Sequence, residues 1–105
     1  MTDGKKFDQG KLRYDLLGPQ ATEQTVAVLT HGAAKYGDTN WAKVEPFNDR
    51  YFAAVMRHLW AWRRGEEIDP DSGLAHLAHA AAGCHILLAK ALGDDAHLPS
   101  DDEDK

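Results

Sequence analysis

Between Arg57 and His79 the chain places three histidines, three arginines, four carboxylates and two tryptophans. Imidazoles and carboxylates gathered against aromatic surface can ligate a metal ion or handle phosphate. His76 and His79 are three residues apart, about 60° around a helix axis, so they share one side of a helix. Alone, such a pair is most often an interfacial polar pair. His58 adds a third imidazole. In an antiparallel hairpin closing near Asp69, a residue about ten positions before the turn comes level with one about ten positions after it. His58 is therefore expected near His79, with Glu66 and Asp69 at the hairpin mouth and closer to His76. His58, Glu66, Asp69, His76 and His79 form the expected metal-ligating set. Glu66 and Asp69 also stand in E-x-x-D spacing, with Asp71 as a third carboxylate. Hard oxygen ligands of that kind suit Mg²⁺ first, with Mn²⁺ as an alternative. The plain alternative is a solvated loop with one capping aspartate.

A second unusual stretch is Lys35-Tyr36-Gly37-Asp38-Thr39-Asn40-Trp41. It combines a cation, an amide and two large rings. A purine can stack on Trp41 or Tyr36, and Asn40 can read a base edge or pin the loop. The plain alternative is a loop anchored by Trp41 in the core. Lys11 and Arg13, with Arg57, Arg63 and Arg64, are cations able to hold phosphates. Arg57 is favoured because it adjoins His58. Cys84 is expected to be a buried, inert thiol. His31 reads as structural or solvated, and His85 and His97 carry no assigned role.

These residues need elements to position them. Pro19 after Gly18 suits the first residue of a helix, and Val26, Leu29 and Ala33 continue at helical spacing. The first helix is expected over about 19–34, followed by a loop over 37–48. Asn48 or Asp49 is expected to cap the second helix. Its stripe is Phe52, Val55, Met56, Leu59 and Trp60, and it ends at Gly65. Asp69-Pro70-Asp71-Ser72-Gly73 is a turn cluster, with Asp71 or Ser72 capping a third helix. That helix is expected to bury Leu74, Leu77, Ala81, Cys84 and Leu88 and to end at Gly93. Residues 7–17 read as an extended arm docked through Phe7, Leu12, Tyr14, Leu16 and Leu17. No strand is convincing. The expected fold class is all-α: three main helices with an N-terminal arm, the second and third an antiparallel hairpin, and the bundle completed by oligomerisation.

The chain has 105 residues, enough for one domain with a modest core. Its 43% hydrophobic and 28% charged residues are ordinary for a soluble protein. No apolar run approaches the roughly 20 residues of a membrane span. The N-terminus leads into no apolar segment, so it does not read as a secretory signal. A single cysteine fits a reducing, cytoplasmic setting. The formal charge of -5 comes from residues 94–105, where six carboxylates face Lys105 alone. Residues 1–93 are neutral and are expected to form one helical domain, with 94–105 an acidic, disordered tail. A neutral body disfavours a nucleic-acid polymer as partner and leaves room for a small anion. The second and third helices carry apolar residues beyond one stripe each, Trp62, Ile86, Leu87 and Leu92 among them. A homodimer or higher homo-oligomer is therefore expected.

Three blocks, taken in order, carry a resemblance. They are Asp8-x-Gly10-Lys11-x-Arg13-x-Asp15-Leu16-Leu17, Gly32-Ala33-x-Lys35-Tyr36-Gly37-x-x-Asn40-Trp41, and the run from Arg57-His58-Leu59 through Ser72-Gly73-x-x-His76-Leu77-Ala78-His79-Ala80. Over roughly residues 5–92 the chain resembles a largely phage-borne family, the dATP/dGTP diphosphohydrolase N-terminal domain. That family is similar in turn to the all-α nucleoside triphosphate pyrophosphohydrolases of the MazG type. Those oligomerise and bind Mg²⁺ through E-x-x-E on one helix and E-x-x-D on the next. Here His76-Leu77-Ala78-His79 stands in place of E-x-x-D, and His58-Leu59-Trp60-Ala61 stands about where E-x-x-E would be. Three consequences stay open: Glu66 and Asp69 supply the carboxylates, the metal is one that prefers histidine (Co²⁺ among those to try), or the fold binds nucleotides without hydrolysing them.

The resemblance implies hydrolysis of a purine (deoxy)nucleoside triphosphate to monophosphate and pyrophosphate, with a divalent metal. Its alternative is a non-catalytic protein that sequesters a nucleotide. Arg57, His58, Glu66 and Asp69 are then the expected catalytic group. Lys11, Arg13, Lys35, Tyr36, Asn40 and Trp41 are the expected substrate-binding group. A phage-encoded member would act in the host cytoplasm.

Overall fold

A computed structural model of the protein describes residues 3–98. It contains three α-helices, α1 (Pro19–Tyr36), α2 (Phe47–Arg63) and α3 (His76–Ala91), with short 3₁₀ turns at Tyr14–Leu16 and Asn40–Lys43. Among the described residues no strand forms, only one isolated antiparallel bridge between Ile68 and Ala75. The protein is all-α, as the sequence implies. No helix among these residues is long and apolar enough to cross a membrane.

Helix α3 is the central element. α2 packs on it most extensively, and α1 packs on it second. The α2–α3 contacts run from Phe47 near Lys90, through Val55 against Gly83, to His58 beside His76 and His79. Rising numbers on one helix meet falling numbers on the other, so the pair is antiparallel. Buried positions on α3 are His76, Ala78, Ala80, Ala82 and Ala89. Ala78 and Ala80 point about 200° apart around the axis, which is what a helix packed on two sides requires.

Those small residues correct the expected core face. Leu77, Ala81, Cys84 and Leu88 are exposed, Leu88 at 58%. Close approach of α2 selects glycine at the contact, where Gly83 meets Val55, and Leu77 and Leu88 face outward. Val55 is buried on α2, while Phe52 is 60% and Trp60 55% exposed. The arm is also corrected. Phe7, Leu12, Tyr14, Leu16 and Leu17 are all largely exposed, so none docks within the protomer.

Both expected caps shift. α2 begins at Phe47 behind Pro46, with no side-chain cap. α3 begins at His76 behind Ala75, because the capping-type residues are consumed by the turn before it. α1 runs to Tyr36, two residues beyond the expected end. At the other end of α3, residues 94–98 of the segment expected to be unstructured lie in hydrogen-bonded turns. Asp95 pairs there with Lys90 Nζ at 2.6 Å. Residues 99–105 lie outside the described range.

Candidate functional site

The C-terminus of α2 positions the first carboxylate. Glu66 N–H donates to Ala61 O at 3.0 Å and Gly65 N–H to Trp62 O at 2.9 Å. This is the paired C-terminal closure that needs a left-handed residue, and Gly65 supplies φ +104°. The closure ends α2 and turns Glu66 toward α3.

Residues 67–76 then form a tight loop. His76 N–H donates to Glu67 O at 2.9 Å, Asp69 N–H to Leu74 O at 2.8 Å, and Gly73 N–H to Asp69 O at 2.8 Å. Ser72 Oγ accepts from Leu74 N–H at 3.1 Å, and Asp69 Oδ1 accepts from Asp71 N–H at 3.3 Å. Asp69 and Ser72 therefore brace the loop, and their side chains face His79.

Two hydrogen-bonded groups result. In the first, Glu66 Oε1 lies 2.6 Å from His76 Nε2, and His76 Nδ1 lies 2.8 Å from His58 Nδ1. In the second, Ser72 Oγ lies 2.7 Å from His79 Nε2 and 3.0 Å from Asp69 Oδ2. Asp69 Oδ2 is 3.3 Å from the same His79 nitrogen. The groups meet where the His58 and His79 rings stack, 4.3 Å apart and 8° from parallel. The sequence reading placed Asp69 nearer His76. The structure sets it against His79, because the loop closes on Asp69 before α3 starts.

The electrostatics favour loss of a proton at His58, His79 and Asp69. Burial lowers the pKa of His58, and the nearby His79 and His76 lower it further against an opposing pull from Asp69. Burial also lowers His79, with Asp69 opposing and His76 and His31 adding. For Asp69, burial pushes the carboxyl up, but hydrogen bonds from Ser72 and the Asp71 amide, with His79 and His58, outweigh it and leave the pKa lowered. At neutral pH the site holds two neutral imidazoles beside an ionised aspartate.

That pattern predicts a pH-dependent stability. A group whose pKa is lower folded than unfolded stabilises fully above its unfolded value and loses that contribution as pH falls through the folded one. For His58 and His79 the loss starts as pH drops below about 6.5, and for Asp69 below about 4. Melting temperature is expected to fall between about pH 7.5 and pH 5. The fall should flatten in a His58→Gln/His79→Gln variant; an unchanged slope in that variant would contradict the assignment.

The other expected residues are distributed around this cluster. Arg57 is exposed on α2, and its charge acts on His58. Lys11 is exposed in the arm. Arg13 is engaged by Asp15 through contacts of 2.9 and 2.7 Å, so it is not an unpaired cation. Lys35 lies over the Tyr36 ring, 5.1 Å from its centroid.

Tyr36, Asn40 and Trp41 line one cleft of about 740 Å³ between α1, the 3₁₀ turn, α3 and the turn after it. Tyr51 braces this cleft by donating to Trp41 O at 3.0 Å. His85 and His97 also line it, and nothing in their spacing signalled this. Thr30 belongs both to this cleft and to a groove holding His31 and Ser72.

The five residues expected to share a metal do not converge. Among the described residues no three of His, Cys, Asp or Glu are placed to hold one ion. The donor types suit a divalent cation, but Glu66 occupies one nitrogen of His76, and Ser72 with Asp69 occupies one of His79.

Comparison with known proteins places the chain. No solved structure matches it. It is 41% identical over 85 residues to a dATP/dGTP diphosphohydrolase of Salmonella phage PMBT28, covering 81% of this chain and 29% of that relative. The chain thus spans under a third of the curated relative's length. The family model described as dATP/dGTP diphosphohydrolase, N-terminal, matches residues 1–97, and the chain belongs to that family.

Proposed function

We propose that this chain handles the nucleotide in the hydrolysis of purine (deoxy)nucleoside triphosphates to monophosphate and pyrophosphate. The relative's name supports the reaction class. The observation that carries the reading is the stacked His58–His79 pair with ionised Asp69 beside it. A neutral imidazole accepts the proton of a water molecule as its oxygen bonds to the α-phosphorus. The bond from that phosphorus to the bridging oxygen breaks, and pyrophosphate leaves with the electron pair.

Arg57 and Lys35 steady the phosphates, with Lys11 approaching from the arm. The purine sits in the cleft against Tyr36 and Trp41, with Asn40 at its edge. A divalent ion, Mg²⁺ first and Mn²⁺ or Co²⁺ as alternatives, offsets phosphate charge when bound. Mg²⁺ is commonly held by one or two carboxylates plus substrate oxygens, and Glu66, 55% exposed, and Asp69 are the carboxylates that would hold it.

Assembly belongs to the same proposal. The exposed stripe Leu77, Ala81, Cys84 and Leu88, with Phe52 and Trp60, is covered by a second copy of the chain. Light scattering at micromolar protein is expected to give a dimer or larger; a monodisperse 11.6 kDa species would refute it.

The activity test incubates the protein with each dNTP and each of the three metals and resolves products by ³¹P NMR. dATP or dGTP is expected to give monophosphate and pyrophosphate. Nucleoside diphosphate with orthophosphate would move the cleaved bond. The missing E-x-x-E and E-x-x-D pair favours a second reading, sequestration, which predicts nucleotide recovered intact from a tight complex.

A further inference from the structure

The His58–His76–Glu66 chain has a directional consequence. Three nitrogens and a carboxylate oxygen are joined by two short contacts. A carboxylate can only accept, so at 2.6 Å from Glu66 the nitrogen Nε2 of His76 must carry hydrogen. When His76 is neutral its Nδ1 is then a bare lone pair. That lone pair faces His58 Nδ1 at 2.8 Å, and two bare nitrogens at that distance repel. His58 Nδ1 therefore carries hydrogen and donates. With its single proton on Nδ1, neutral His58 has a bare Nε2.

This is the minority form of a free neutral imidazole side chain, which favours hydrogen on Nε2. His76 is 5% exposed, so water does not compete for its nitrogens, whereas Glu66 reaches solvent. The opposing group is held independently. Ser72 Oγ accepts from Leu74 N–H and has one proton to give. All three contacts among Ser72, Asp69 and His79 are attractive only if Ser72 donates to Asp69 and His79 Nε2–H donates to Ser72, with Asp69 nearby.

We propose that Glu66, acting through His76, holds His58 in the Nδ1–H tautomer and so makes His58 Nε2 the basic nitrogen of the site. Glu66 and His76 are positioning residues in this assignment. In the proposed hydrolysis His58 is the group that takes the water proton. The assignment rests on the proposed hydrolysis for its catalytic meaning, but the tautomer itself is a property of the nucleotide-free protein. It gives Glu66 a role separate from holding a metal.

The test is ¹⁵N NMR of histidine-labelled protein at about pH 8, where imidazoles are neutral, with chelator and no nucleotide. In the wild type, His58 is expected to show a protonated Nδ1 and an unprotonated Nε2. A protonated Nε2 on wild-type His58 overturns the proposal whatever the variants do. Glu66→Gln can donate to His76, reverse the chain and return His58 to the Nε2–H form; Glu66→Asp should keep the wild-type pattern. Glu66 is half exposed, so neither change threatens the fold. His79 serves as internal control and should keep Nε2–H in both variants. If Glu66→Gln leaves His58 unchanged, Glu66 does not set the tautomer and the proposal falls. Absence of dNTP turnover alongside the expected tautomer would sink the hydrolase reading and leave this one standing.

Discussion

Replacing His58 with asparagine is expected to lower kcat for dATP or dGTP by about 10²–10⁴-fold, the usual contribution of a positioned general base. Asparagine places an amide near the Nδ1 position, so it can still donate to His76 Nδ1. It has nothing at Nε2. Glutamine has the opposite geometry, reaching the Nε2 position while abandoning His76. If the loss comes from the missing base, both variants lose kcat while KM changes little. His58 is only half buried, so its loss leaves the α2–α3 packing through Val55 and Gly83 in place. Steady-state kinetics beside a melting curve decides the matter. A His58→Asn protein that melts like the wild type and keeps kcat within a few-fold of it would remove His58 from the chemistry.

Gly83→Ala is expected to lower the melting temperature by several degrees. A methyl group at this position would lie 2.5 Å from Val55 Cγ2. Val55 is buried and β-branched, so it cannot swing aside easily. Overpacking of this kind costs about 1–3 kcal/mol. Against it stands the gain from replacing glycine inside a helix, about 1 kcal/mol. The clash wins over most of that range. At about 4–8 °C per kcal/mol for a domain of 60–100 residues, the loss is easily measured. Val55→Ala should make room, so the double variant should be less destabilised than the two single losses together. A Gly83→Ala protein that melts higher than the wild type would mean that α2 and α3 do not approach this closely.

The signals that read correctly share a physical basis. Pro19 at a helix start and Gly65 at a helix end depend on local backbone preferences, which a sequence carries directly. The nearness of His58 and His79 follows from antiparallel register around a short loop. The face of α3 was not legible in the same way. Leucines at helical spacing give the stronger hydrophobic signal, yet the contact with α2 needs Gly83, whose small size carries almost none. Ser72 and Asp69 illustrate a second limit. Both are good capping types, and only the folded loop reveals that they face His79 instead of starting α3. The cleft joins Tyr36 and Trp41 to His85 and His97 across more than 40 positions, a relation no local pattern records. The arm failed for a related reason: its apolar residues announce burial without saying on which molecule.

The histidine cluster is also a local object in chain terms. Its most distant members, His58 and His79, are joined through one helix end, one loop and one helix start. The tie from α3 to the 3₁₀ turn, Lys90 Nζ to Ala42 O, spans 48 positions. Closing a short loop sacrifices less chain entropy than closing a long one, and contacts of low sequence separation form sooner. On that ground the imidazole cluster is expected to form before α3 is tied to the 3₁₀ turn beside the cleft, an order that φ-value analysis of α2–α3 and Lys90 variants would check. For a nascent chain, that order would put the stacked imidazoles in place ahead of the cleft lined by Tyr36 and Trp41.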